Sequence, residues 1–217
     1  DYKFRSASYF ELALLDCKNG DFAGALEKLD TSINYNSGHT KAMNIKAAVL
    51  SALGRGEEAK ALLKKVQEYD RLDMLSAYLL LDFGGDTKKF LCTFGEKCEN
   101  FIDVAYDLLD AGFYEKAICA VDIAGRDYPL FDYAKAYCYG KLGNAEKELE
   151  FIKRADAADT GYCFPSRLDD LAILSNAISK NPSGDNAYYY LGCLYYDKFA
   201  YEKATELWEK CAELNPK

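Results

Sequence analysis

The chain has 217 residues, with 27 Lys plus Arg against 35 Asp plus Glu and a formal net charge of -8. Affinity for DNA, RNA or an anionic membrane surface comes from neutralising phosphates, and the acidic excess carries no basic run to do so, which excludes both classes of partner. Half of the residues are hydrophobic and only four are Pro, so the chain is expected to be ordered throughout, and no run of about 18 apolar residues reads as a membrane span. A single His, His39, excludes His-rich metal sites. The chain opens on Asp1-Tyr2-Lys3-Phe4, without an initiator Met or the regions of a signal peptide, as an excised segment would. Its eight Cys include no C-x-x-C pair and read as reduced, buried small hydrophobes of a cytoplasmic protein. Cys92 and Cys98 are the pair that a short loop could bridge.

Compared with itself, the chain repeats. A first unit near 6–37 carries Tyr9, Leu12, Ala13, Gly20, Phe22, Ala25, Leu29 and Ser32, and a second near 40–71 carries Met43, Ala47, Leu50, Gly54, Ala59, Leu63 and Val66. Residues 72–97 depart from the period. Leu72, Leu75 and Tyr78 to Leu81 predict one helix, Phe83-Gly84-Gly85-Asp86 breaks it, and a short helix follows around Lys88 to Cys92. The pattern returns near 98–129 with Phe101, Val104, Ala105, Leu108, Gly112, Tyr114, Ala117, Val121, Ala124 and Pro129. A degenerate unit near 129–160 keeps Ala136, Leu142, Gly143, Ile152 and Ala155 but has Glu148 where the others have Ala. Between 161 and 184 only the second half of a unit is legible, in Asp170, Leu174, Ala177 and Pro182. The last unit, near 185–216, carries Tyr188, Leu191, Gly192, Tyr195, Tyr201, Ala204, Trp208, Cys211 and Pro216, with Phe199 in place of the Gly of the inter-helix turn.

These offsets, W-x2-L-G-x2-Y, then A-x3-F, then P, resemble the tetratricopeptide repeat (TPR), a helix pair of about 34 residues. Small residues at the eighth and twentieth positions let two antiparallel helices approach, and each pair needs its neighbours to bury its apolar face. The expected fold is an all-α, right-handed solenoid of about five TPR-like helix pairs in a single domain over 1–217, with two irregular insertions. Its expected role is a non-catalytic protein-interaction or scaffolding module.

No chemistry of its own is legible. His39 follows Asn36-Ser37-Gly38 in a cap position, Phe83-Gly84-Gly85-Asp86 lacks the Lys-Ser/Thr of a phosphate loop, and the acidic clusters fall on polar helix faces. No cofactor or metal is expected. In TPR proteins the concave groove is lined by the first helix of each pair, which here places Phe10, Lys41, Asn44, Tyr106, Tyr133, Tyr137, Tyr189 and Tyr196 against a protein or peptide partner. A Tyr-lined groove suits an extended apolar segment, because Tyr offers a large rigid face and a hydroxyl at low entropic cost; if the irregular helices fill the groove, the same rings are interior. Phe10 and Leu14 stand where chaperone-binding TPR domains have the Lys and Asn of their carboxylate clamp, so that mode is absent. Tyr162 and Phe164, in the loop before Arg167, either plug an end of the core or, with Arg167, face a partner or neighbouring domain. Leu207 and Trp208 end the repeat array without a polar capping helix, which leaves self-association open.

A further resemblance runs through Lys46-Ala47-Ala48, Leu53-Gly54-Arg55, Tyr69-Asp70-Arg71-Leu72-Asp73, Ala105-Tyr106-Asp107, Tyr114-Glu115-Lys116-Ala117, Tyr162-Cys163-Phe164-Pro165-Ser166-Arg167 and Tyr188-Tyr189-Tyr190-Leu191-Gly192. These segments are similar to the C-terminal TPR region of bacterial multidomain proteins that have an uncharacterised, galactose-mutarotase-like β-sandwich at the N-terminus. The resemblance implies the helical part of a larger, carbohydrate-processing protein, docked on its catalytic β-sandwich.

Overall fold

The computed structural model describes residues 2–216, and these are all-helical, with no β-strand among them. The helices gather into two compact units, residues 1–116 and 117–217, and the division falls within one helix.

The first unit holds α1 (Tyr2–Lys18), α2 (Phe22–Tyr35), α3 (Thr40–Ala52), α4 (Gly56–Tyr69), α5 (Met74–Leu79) with a 3-10 turn (Leu80–Phe83), α6 (Thr87–Phe94), α7 (Cys98–Asp110) and the start of α8 (Tyr114–Asp122). The second holds the rest of α8, then α9 (Pro129–Lys141), α10 (Ala145–Asp156), α11 (Leu168–Lys180), α12 (Asn186–Asp197) and α13 (Tyr201–Leu214). Tight turns join α1 to α2, α3 to α4, α7 to α8, α9 to α10 and α12 to α13, the five pairs of the repeat.

Each of these turns is made the same way. The amide three residues past the end of the first helix reaches back to a carbonyl five positions earlier, as in Arg55 N to Leu50 O and Asn144 N to Tyr139 O, both 2.9 Å. The residue before that amide must take a left-handed backbone, and Gly20, Gly54, Gly112 and Gly143 do so with φ of 76–77°. The small positions of the repeat lie where helices cross. Ala13, Ala47, Ala105 and Ala136 in the first helices and Ala25, Ala59, Ala117 and Ala204 in the second are all buried. At Gly192 the approach is closest: a β-carbon there would lie 2.4 Å from Trp208 Nε1, whose N–H donates to Tyr189 O at 3.2 Å.

Glu148, the exception at the twentieth position, is buried against Gly140, where a β-carbon would meet its carboxylate at 2.6 Å. It accepts hydrogen bonds from Asn176 and Lys180 of α11 at 2.9 and 3.1 Å. The unpaired helix α11 thus packs on α9 and α12 and supplies the polar partners that keep a buried carboxylate from being costly.

In the first unit α5 packs against α3, α4 and α7, in the place of a first helix, and a polar cleft separates the start of α3 from α7. Lys41 Nζ donates to Asp107 Oδ1 at 2.7 Å, while Asn44 and Ala48, one turn and two turns further on, are buried. Of the α3 face expected to line an open groove, Asn44 and Ala48 are thus buried, while Lys41 stays exposed beside a polar cleft.

Candidate interaction surface

In the second unit the turn between α12 and α13 keeps the hydrogen bonds of the other turns, with Ala200 N on Tyr195 O at 2.9 Å and Phe199 N on Tyr196 O at 3.0 Å. It does so without Gly. Phe199 takes φ 62° and leaves its ring 78% exposed. The segment between α10 and α11 makes a second such arrangement: Tyr162 has φ 56° and is 93% exposed, while the next residue, Cys163, is buried. Among the described residues these are the two non-Gly positions with positive φ, and both are solvent-facing aromatics.

The loop and the turn are tied together, because Lys198 Nζ donates to Ser166 O at 2.9 Å. Between them lies a shallow cleft of about 410 Å³ lined by the rings of Phe164, Tyr196, Phe199, Tyr201 and Trp208, together with Cys193 and Asp197. Tyr196 packs on Tyr201 and Trp208, with ring centroids 5.2 and 5.6 Å apart, and Phe199 stands edge-on to Tyr201 at 6.3 Å. Burial pushes the Cys193 thiol above its ordinary pKa, although Tyr189 and Trp208 pull it down. Beside the rings and this thiol the cleft carries one carboxylate, Asp197, paired with Lys198 at 2.9 Å. Arg167 itself is half-buried at the start of α11, where the Asp170 carboxylate accepts from the Ser166 and Arg167 amides, each at 2.9 Å.

The aromatic residues expected to meet a partner, in the groove or in the loop before Arg167, fall into three groups, and the exposed rings of Tyr162 and Phe164 do not plug the core. Tyr196, Phe164 and Tyr162 are exposed, and Tyr137 and Tyr189 are half-buried, Tyr137 beneath Lys141 and Tyr189 against Tyr190. Tyr106 and Tyr133 are not available to a partner and are corrected to core. Tyr133 stands edge-on to Tyr190 and donates to Asp156 Oδ1 at 2.6 Å, since α12 and the end of α10 close over the face that an isolated repeat would expose. Lys41 and Asn44 border a separate polar cleft with Asp73, Asp103 and Asp107. Phe10 is half-buried, its ring tilted against His39 at 4.9 Å. Phe199, Tyr201 and Trp208 were absent from the expected site, although Phe199 in a Gly position of the repeat is the signal that points to them.

His39 does not cap α3 through its side chain. Its Nδ1 lies 3.0 Å from Ser6 Oγ and 3.2 Å from Ser32 Oγ, and each of these hydroxyls donates to the other serine's carbonyl. With both hydroxyl protons committed, Nδ1–H is the donor, and His39 ties α1, α2 and α3 together. Burial, helped by Lys41, lowers its pKa. None of the eight Cys is in a disulfide, so Cys92 and Cys98 form no bridge; Cys17, Cys138 and Cys163 are buried as expected, but Cys92 and Cys119 are exposed.

Residues 18–81 and 185–217 match the family described as the tetratricopeptide repeat. TPR proteins generally mediate protein–protein interaction. Among solved structures, MamA 41-end from Desulfovibrio magneticus RS-1 is 16% identical, with 98% of this chain and 96% of that one covered and a TM-score of 0.34. A tetratricopeptide repeat protein from Parabacteroides merdae is 14% identical, with 97% and 78% covered and a TM-score of 0.39. YrrB, a TPR protein with an unusual peptide-binding site, is 18% identical, with 87% and 92% covered and a TM-score of 0.25. No helix among the described residues is long and apolar enough to cross a membrane.

Proposed function

We propose that the chain is a non-catalytic protein-interaction module that holds an extended apolar segment of a protein partner on the aromatic surface of the α12–α13 turn and the 157–167 loop. The observation that carries this reading is the conformation of Phe199 and Tyr162. A left-handed backbone costs a non-Gly residue about 1–2 kcal/mol, and an exposed ring returns none of it through burial. Strain retained beside an exposed aromatic cluster is accounted for by contacts made with something else. Tyr196, Tyr201 and Trp208 form the rigid base of the surface, and Phe164 and Phe199 are its raised edges.

The test is photo-crosslinking in the source cells, with benzoyl-phenylalanine at position 199 and, as control, at Leu72, which is 70% exposed in the first unit. Adducts at 199 that are absent at 72 are expected. An adduct within a longer version of the same chain would place the partner in a neighbouring domain, such as the β-sandwich implied by the sequence resemblance, and a doubled mass would make it a second copy. Equal adducts at the two positions, or none at 199, would refute the reading.

A further inference from the structure

The polar cleft of the first unit, about 220 Å³, lies between the start of α3, the residue preceding α5, and α7. Asn44 lines it and is wholly buried. Its Nδ2 donates to Asp73 Oδ1 at 2.8 Å, and because a carboxylate can only accept, the amide cannot be turned the other way round. The Asn44 Oδ1 is left buried with no hydrogen-bond partner. Such an oxygen is a deficit that a donor entering the cleft would remove.

The remaining polar lining selects the kind of donor. Besides Thr40 and Asn100, the lining has three carboxylates, Asp73, Asp103 and Asp107, and one cation, Lys41, whose side chain is 60% exposed and whose ammonium sits on Asp107. Burial works against that ammonium, yet the hydrogen bond to Asp107 and the fields of Asp107, Asp103 and Asp110 together raise its pKa. The cleft thus favours positive charge and opposes a carboxylate. Asp103 and Asp107, four residues apart, share one face of α7. Acceptors spread over a deep amide oxygen and two carboxylates match a planar group with several fixed N–H donors better than a compact ammonium.

We infer that this cleft receives the guanidinium of an arginine presented by the protein partner, with one N–H on Asn44 Oδ1 and the others on the α7 carboxylates. Lys41 competes with it for Asp107 and swings aside on binding. The inference rests on the interaction-module reading but not on the aromatic surface, which belongs to the other unit.

The test follows the Asn44 side-chain amide resonance of the full chain by NMR during titration with N-acetyl-argininamide, and with the citrulline analogue as a neutral match. A saturable shift with the arginine probe is expected, with binding about tenfold weaker for citrulline, and weaker by a similar factor in Asp103→Asn, in line with the loss of one charge-assisted contact. Lys41→Met should tighten binding, and Phe199→Ala should leave it unchanged, so that failure of the aromatic-surface reading is told apart from failure of this one. No saturable shift would mean that water alone meets Asn44, and would overturn the inference. So would equal affinity for citrulline, or full binding by a folded Asn44→Leu variant, which would reduce the effect to general attraction by an acidic surface. Should Asn44→Leu not fold, Asp103→Asn and Lys41→Met decide alone.

Discussion

The turn that ends α3 and the turn that ends α12 have the same hydrogen bonds and different residues. Gly54 and Phe199 each take a left-handed backbone, and in both turns the next amide reaches a carbonyl five positions earlier at 2.9 Å. In the first, Gly meets the geometric demand without strain and presents nothing to solvent. In the second, the same demand is met by a bulky residue whose ring stands 78% exposed. The backbone of the turn is thus dictated by the helix pair, and what the position carries beyond that is free to serve a surface.

The comparison predicts a ladder of effects. The largest concerns core against surface: Tyr133→Ala should lose about 3–5 kcal/mol in urea unfolding, because it empties a fully buried ring site and removes one of the hydrogen bonds to Asp156, which keeps that from Asn181. A loss below about 1 kcal/mol would return Tyr133 to the surface group. Next, Gly192→Ala should lose about 1–3 kcal/mol by forcing the Trp208 ring off its place, whereas the same change at an exposed helix position would be neutral or favourable. Exchanging the turn residues comes third. Gly54→Phe should destabilise by about 1–2 kcal/mol, and Phe199→Gly should stabilise by about 0.5–1 kcal/mol, the relief of strain being partly offset by the added freedom of the unfolded chain. Equal responses at the two turns would erase the distinction between them.

The smallest effect is set by pH. His39 has a folded pKa below its unfolded value of 6.5, so the unfolded chain takes up the proton first. Its contribution to stability is complete above pH 6.5 and is lost as pH falls through the lower folded value. His39→Gln should flatten the stability profile in that window, and as the chain has a single His, the comparison is free of other imidazoles.

Much of this architecture is legible before any coordinate. Gly20, Gly54, Gly112 and Gly143 at a fixed distance from small, buried Ala positions mark the turns and the helix crossings, since both follow from local geometry and period. What is not legible depends on helices outside the period. Tyr106 and Tyr133 occupy positions that face a groove in a regular array, but α5, α7, α11 and α12 close over such faces, and no spacing rule reports which neighbour an irregular helix selects. Glu148 is visible as a departure from the repeat, while its partners Gly140, Asn176 and Lys180 are not. Of the proposed surface, the sequence points to Tyr162, Phe164 and Tyr196, and it marks Phe199 only as a missing Gly.

On the proposed function, Phe199 is kept for contact at the expense of stability. The most direct measurement is the thermal midpoint of Phe199→Gly together with photo-crosslinking from position 201 in the same variant. A raised midpoint with loss of the adduct is predicted. A lowered midpoint, or an undiminished adduct, would contradict it and make the exposed ring a structural element of the turn.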